Sequence, residues 1–140
     1  MTGFVVLAVT LAAGTLGGFL LRARAGAFRG RDGAMDLGEP LGERATLVQF
    51  STAFCQPCRA TRRVLAEVAG MVPGVRHVEI DAESRLDLVR AHDVMRTPTV
   101  FVLDKDGTIV KKASGQPRKA DVIAALALAV DSRSQQSDGM

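Results

Sequence analysis

The sequence predicts an α/β fold: a mixed sheet with flanking helices, preceded by one N-terminal transmembrane helix. Three observations carry that expectation. Residues 3–21 contain no charged side chain. From residue 45 onward, alternating apolar runs exchange with runs of helical period in the order β-α-β-α-β-β-α. Gly and Pro punctuate the boundaries between them. The bulk composition, 47% hydrophobic and 24% charged over 140 residues, fits one folded domain plus an appendage and excludes a disordered chain. Trp and Tyr are absent, so the core must be built from Val, Leu, Ile, Ala and Phe.

The first element is the apolar run. At 1.5 Å per residue it reaches roughly 28 Å, close to the hydrocarbon thickness of a bilayer. Apolar residues on every face over that length suit lipid better than a globular core. The rival is a cleaved signal peptide, for which Ala23-Arg24-Ala25 imitates a cleavage site; the absence of a basic residue before the run argues for a retained anchor. Arg22, Arg24, Arg29 and Arg31 all follow the run, and positive flanks tend to stay cytoplasmic. The expected location is therefore the cell membrane, single-pass, with the domain cytoplasmic; an extracytoplasmic domain is the alternative. Gly14 and Gly18 form a small-residue pair, too weak a signal to fix an oligomeric state. The net charge of +3 is explained by this basic flank, and no aromatic platform for bases accompanies it. Nucleic acid is not an expected partner.

Residues 22–44 read as a flexible basic, Gly-rich linker, with room for a short strand or turn near its end. Thr46 to Phe50 reads as the first strand of the domain. Pro57 to about Met71 reads as a helix with Ala60, Val64 and Val68 along its inner side. Val75 to Asp81 is a strand with Val78 and Ile80 on one face. Ser84 to His92 is a short helix, with Ser84 and Asp87 resembling a capping box. Thr99 to Leu103 turns back through Asp104-Lys105-Asp106-Gly107 into Thr108 to Lys112, a hairpin. Pro117 to Val130 closes the domain as a helix, and 131–140 reads as a disordered tail. Helix-linked strands should run parallel and the hairpin antiparallel.

The chain has two cysteines, Cys55 and Cys58, at the predicted junction of strand and helix. A helix start offers unpaired N–H groups and the positive end of the dipole, and both favour thiolate over thiol. Such cysteines ionise well below the ordinary thiol range. Cys55, at the very start, is the expected exposed nucleophile. Cys58, one turn in, is the expected resolving thiol, placed to attack the mixed disulfide. No metal site is expected, because structural zinc wants four ligands and His77 and His92 lie on other elements. A softer two-thiolate, copper-type site stays open as a rival. No cofactor is expected.

From Ala45 to Val130 the chain resembles the thioredoxin family. Phe50, Phe54-Cys55-Gln56-Pro57-Cys58, Asp81, Val94, Thr97-Pro98-Thr99, Gly107 and Gly115 fall in the family's order and spacing. The resemblance implies a thioredoxin-like fold, here truncated because the family's first strand and helix lack counterparts. It implies a redox-active disulfide Cys55–Cys58, and a cis-proline loop in which Thr97 and Pro98 pair with an extended substrate segment. It also implies a disulfide-containing protein as substrate and an electron donor that the residues do not identify.

Two departures matter. The family's buried Asp beneath the dithiol is Gln49 here, and a neutral amide cannot take a proton. The family's partner lysine falls at His77, a group that titrates near neutrality. His77 and Gln49 are therefore the candidate proton relay, set against the plain alternative that His77 is a strand histidine with no role. The functional expectation is a membrane-tethered thiol–disulfide oxidoreductase that reduces protein disulfides. The alternatives are a membrane-tethered metal-handling module using the same thiolates, and a non-catalytic adaptor on the same fold.

Overall fold

The computed structural model of the chain describes residues 1–24, 28–30 and 33–137. Helix α1 spans Thr2–Arg24 and packs, among the described residues, against no other element. Its segment Thr2–Leu21 has mean hydropathy 2.2 and is long and apolar enough to cross a membrane. The remaining elements are β1 (Phe28–Gly30), β2 (Ala45–Ser51), α2 (Gln56–Met71), β3 (Val75–Asp81), α3 (Leu86–Ala91), β4 (Thr99–Asp104), β5 (Ile109–Ser114) and α4 (Lys119–Ser137).

The strands form one sheet in the order β1-β5-β4-β2-β3. Only the β2–β3 pair, joined through α2, is parallel; β4 runs antiparallel to β2 and to β5, and β5 antiparallel to β1. Strand β2 is buried along its whole length. Its alternate side chains therefore supply two separate cores. Val48 and Phe50 join Val78, Ile80, Leu88, Phe101 and Leu103 on the α3 side, where the Phe50 and Phe101 rings meet edge to face at 5.6 Å. Ala45 and Leu47 join Leu65, Val68, Val100, Val102, Val122 and Leu126 beneath α2 and α4.

The four strands and three helices expected from residue 45 onward are all present, and several details differ. The segment read as a linker is partly structured: Phe28–Gly30 pairs with β5, and Met35 and Leu37 are buried in the α3-side core. Met35 and Leu37 flank Asp36 in strand-like alternation, and the Met35 amide donates to the Gly107 oxygen at 3.0 Å. Gly42 is fixed by close approach, since a Cβ there would meet the Ala45 oxygen at 2.1 Å.

On α2 the buried stripe is Cys58, Thr61, Leu65 and Val68, turned from the expected Ala60–Val64 line. Thr61 tolerates burial because its hydroxyl donates to the Pro57 oxygen at 2.8 Å. The expected capping box at α3 does not form. Ser84 donates to Asp81 at 2.8 Å, Asp87 pairs with Arg85, and the N-cap is Arg85 with no side-chain cap bond. Helix α4 continues to Ser137 through most of the expected tail, of which residues 138–140 lie outside the described residues. The hairpin turn forms as expected: Asp104 Oδ1 accepts from the amides of Asp106 and Thr108, and Gly107 supplies the φ of +85°.

Candidate active site

The C-terminal end of β2, the start of α2 and the loop entering β4 meet at one pole of the sheet. Cys55 is the N-cap of α2, in an extended conformation, and its sulfur accepts the Cys58 amide at 3.2 Å. Pro57 occupies the first turn, where no N–H is needed. Cys55 and Cys58 are joined by a disulfide with their Cα atoms 5.2 Å apart. Cys55 is partly accessible, whereas Cys58 is 1% exposed. The sulfur a substrate can reach is thus the one at the helix mouth, where the first-turn amides and the dipole stabilise negative charge.

Beneath the disulfide lies Gln49, fully buried. Its amide nitrogen donates to the Cys58 backbone oxygen at 2.7 Å and to Ser51 Oγ at 3.0 Å. Those two donations leave Gln49 Oε1 buried without a partner. His77 sits on the neighbouring strand opposite Leu47, while Gln49 faces Glu79, so the two side chains share a sheet face in diagonal register. Burial lowers the His77 pKa below the ordinary histidine value, the nearby Glu79 carboxylate opposes that shift and Arg62 adds to it. The imidazole is therefore neutral at pH 7, and its Nε2 is also buried without a partner. The structure joins Gln49 directly to Cys58; it places no hydrogen bond between His77 and either residue.

The Thr97–Pro98 peptide bond is cis. The Thr97 hydroxyl bonds to the Thr52 hydroxyl at 2.9 Å, tying this loop to the segment that leads from β2 into the cysteines. Pro98 accepts the Gly115 amide through its carbonyl at 2.7 Å. Lys112 holds the preceding turn by donating to the oxygens of His92 and Asp93 at 3.1 and 2.8 Å. Sequence reasoning missed Thr52, because two loop residues far apart in the chain carry no periodic signal. Phe54, named in the motif without a role, is 97% exposed and holds a left-handed φ of +61° just before Cys55.

No group of three or more His, Cys, Asp or Glu side chains converges on a metal-sized site among the described residues. His77 lies on the α2 side of the sheet, and His92 meets the Phe101 ring edge to face on the other.

A partly exposed cysteine bridged to a buried one at a helix start, on a mixed sheet, with a cis-proline loop tied alongside, defines a dithiol–disulfide protein. The thioredoxin family model matches residues 39–128, and the chain belongs to that family. It is 35% identical over 86 residues to thioredoxin H4-1 of Oryza sativa subsp. japonica, covering 60% of this chain and 65% of the relative. It is 33% identical over 90 residues to an H-type thioredoxin of Picea mariana, covering 62% of this chain and 70% of the relative. The alignment thus spans just under two thirds of the rice protein. In fold it is similar to oxidised mitochondrial thioredoxin 3 of Saccharomyces cerevisiae, with TM-score 0.54 and 22% identity over 61% of this chain and 78% of that one.

Proposed function

We propose that this chain is a membrane-tethered thiol–disulfide oxidoreductase that reduces disulfides in proteins. The observation that carries the reading is the asymmetry of the cysteine pair: an accessible sulfur at the mouth of α2, bridged to a buried one a turn further in. In the reduced form the Cys55 thiolate attacks a substrate disulfide, forming one mixed S–S bond and expelling one substrate thiolate. Cys58 then gives up its proton and attacks the Cys55 sulfur. The second substrate thiolate leaves, and the protein is left bridged. The two electrons gained by the substrate come from the dithiol, and a separate donor must restore it. Thr97 and Pro98 are assigned to pairing with the substrate backbone beside Cys55.

The Cys58 proton needs an acceptor, and Gln49 is not one. This reading assigns it to His77, held neutral by burial, with Gln49 Oε1 a hydrogen-bond acceptor beside the path and not a proton carrier. Helix α1 is assigned as the membrane anchor and the basic residues after it as the cytoplasmic flank. A reducing compartment would keep the dithiol charged for reduction.

The test uses the full chain in lipid nanodiscs. The wild type should accelerate reduction of insulin disulfides by dithiothreitol, and Cys58→Ser should trap mixed disulfides that reductant releases. A wild type no faster than dithiothreitol alone, with no trapped species, would falsify the reading. Stoichiometric metal after chelator-free purification would replace it with the thiolate metal carrier. An unchanged rate and pH profile in His77→Ala would remove the relay while leaving the dithiol chemistry intact.

A further inference from the structure

The anchor enters the domain at a defined place. Phe28 pairs with Ala113, Ala113 with Val100, and Val100 with Gln49. Phe28 therefore stands level with Gln49, at the pole of the sheet that carries the disulfide and the cis-proline loop. From there the chain runs away from this pole. Gly33 accepts the Ile109 amide, and Ala34 bridges Thr108 beside the β4–β5 hairpin. Their partners Ala113 and Thr108 are five residues apart on β5, so Phe28 and Ala34 are separated by about 17 Å along the strand direction, and the Asp104–Gly107 turn extends a few Å further.

Helix α1 ends at Arg24 and β1 begins at Phe28. The four Cα steps between them span at most about 14 Å, and Arg22–Arg24 add about 4.5 Å of helix beyond the apolar segment, a reach of about 18 Å from the lipid. If the hairpin pole faced the lipid, Phe28 would stand at least about 20 Å above it, beyond that reach. That reach is also only about half the width of a domain this size, roughly 35 Å. Exposure points the same way. Among the described residues of the domain from Met35 onward, the two most exposed large apolar side chains are Phe54 at 97% and Met95 at 88%, and both belong to the loops at the disulfide pole. Apolar tips on a soluble surface mark a contact, and an aromatic ring suits the lipid interface.

We infer that the disulfide pole faces the bilayer holding α1, so that the disulfides served by Cys55 lie on membrane proteins close to the lipid surface. The inference rests on the anchored oxidoreductase reading and adds the orientation and the substrate class. Strand spacing puts β2 about 14 Å from β1 across the sheet, so Gln49, directly beneath the disulfide, lies about 30 Å at most from Arg24 at the end of α1. A disulfide carried far from the membrane lies outside that radius.

The chain has no Trp, so single substitutions report position. Phe54→Trp and Lys105→Trp mark the disulfide pole and the hairpin pole of the full chain in vesicles of phosphatidylcholine and phosphatidylglycerol, with the cysteines reduced. A nitroxide on the lipid headgroup should quench Phe54→Trp several-fold more strongly than Lys105→Trp. Equal quenching, or stronger quenching at the hairpin, overturns the orientation. In the same vesicles, a membrane-spanning peptide with its disulfide next to the lipid should be reduced several-fold faster than insulin. A long Gly-Ser insert between Ala25 and Gly26 should abolish that preference. Equal rates on both substrates, or an insert without effect, overturn the substrate class while the oxidoreductase reading stands. Failure to float with vesicles removes the anchor and this inference with it. Loss of turnover on both substrates, with quenching as expected, removes the oxidoreductase reading and the substrate class.

Discussion

The Gln49 side-chain nitrogen and the Cys58 backbone oxygen lie 2.7 Å apart, a buried hydrogen bond between the central strand and the first turn of the redox helix. The same nitrogen also holds Ser51 Oγ. Gln49→Ala removes both bonds and leaves a void under the disulfide. A loss of about 1–3 kcal/mol is expected from stranding buried polar partners. The check is the shift of the urea midpoint at unchanged slope. A midpoint within experimental scatter of the wild type would mean that the amide supports nothing.

Thr52 and Thr97 share a hydroxyl–hydroxyl bond of 2.9 Å that joins the segment leading into the cysteines to the cis-proline loop, where the proposed reading puts the substrate. Removing one neutral hydrogen bond costs about 0.5–1.5 kcal/mol. Thr52→Val should therefore raise KM for a protein disulfide about 2- to 10-fold, since RT ln 10 is about 1.4 kcal/mol. Turnover of a small disulfide, which does not use the cis-proline loop, should be unchanged, and Thr52→Ser should restore KM. Equal losses on both substrates would mark general damage instead of positioning.

His77 carries a pH dependence of defined sign. Burial depresses its folded pKa below the unfolded value of about 6.5, so the unfolded chain binds the extra proton first. The stabilising contribution is fully present above about pH 6.5 and is lost as pH falls through the folded pKa. His77→Gln should flatten the fall in stability on the acid side of pH 6.5, read as the difference between the two proteins' unfolding free energies across pH. Parallel curves would show that His77 binds protons alike in both states.

Lys112 donates to the His92 and Asp93 oxygens and lies over the Phe101 ring, 5.5 Å from its centre. It thus pins the turn that leads to Met95 and the cis-proline loop. Lys112→Met keeps the aliphatic stem and removes the ammonium. Amide exchange over residues 92–98 should accelerate at least about 10-fold, since two charge-assisted bonds of about 1.5 kcal/mol each are lost, with β2 unaffected. Uniform acceleration throughout the domain would contradict a local latch.

Much of this was readable from the sequence because period and punctuation agree from Ala45 onward. Thr46 to Phe50, Val75 to Asp81 and the Asp104–Gly107 turn each declare themselves through local rules, and Pro57 next to the cysteines marks a helix start. Strand β1 was not readable: Phe28-Arg29-Gly30 is too short to show a period, and its pairing depends on β5, remote in sequence. Met35 and Leu37 gave a real alternating signal that the surrounding glycines concealed. Ser84 fits a capping pattern yet bonds to Asp81 instead, since a hydroxyl competes for whichever acceptor is nearest. At the site, residue types named Cys55 and Cys58 and the family resemblance named Gln49, whereas Thr52 acquires its part only when the chain brings it to Thr97.

Strand β3 closes the sheet on the side nearest α2, so half of its backbone amides and carbonyls have no strand beyond them. Such a margin invites stacking of one molecule on the next, the first step toward insoluble fibres. Arg76, Glu79 and Asp81 are exposed along it, the cation on one face of the strand and the two carboxylates on the other. A second copy approaching in either direction would have to strip water from those charges, a cost that opposes such stacking.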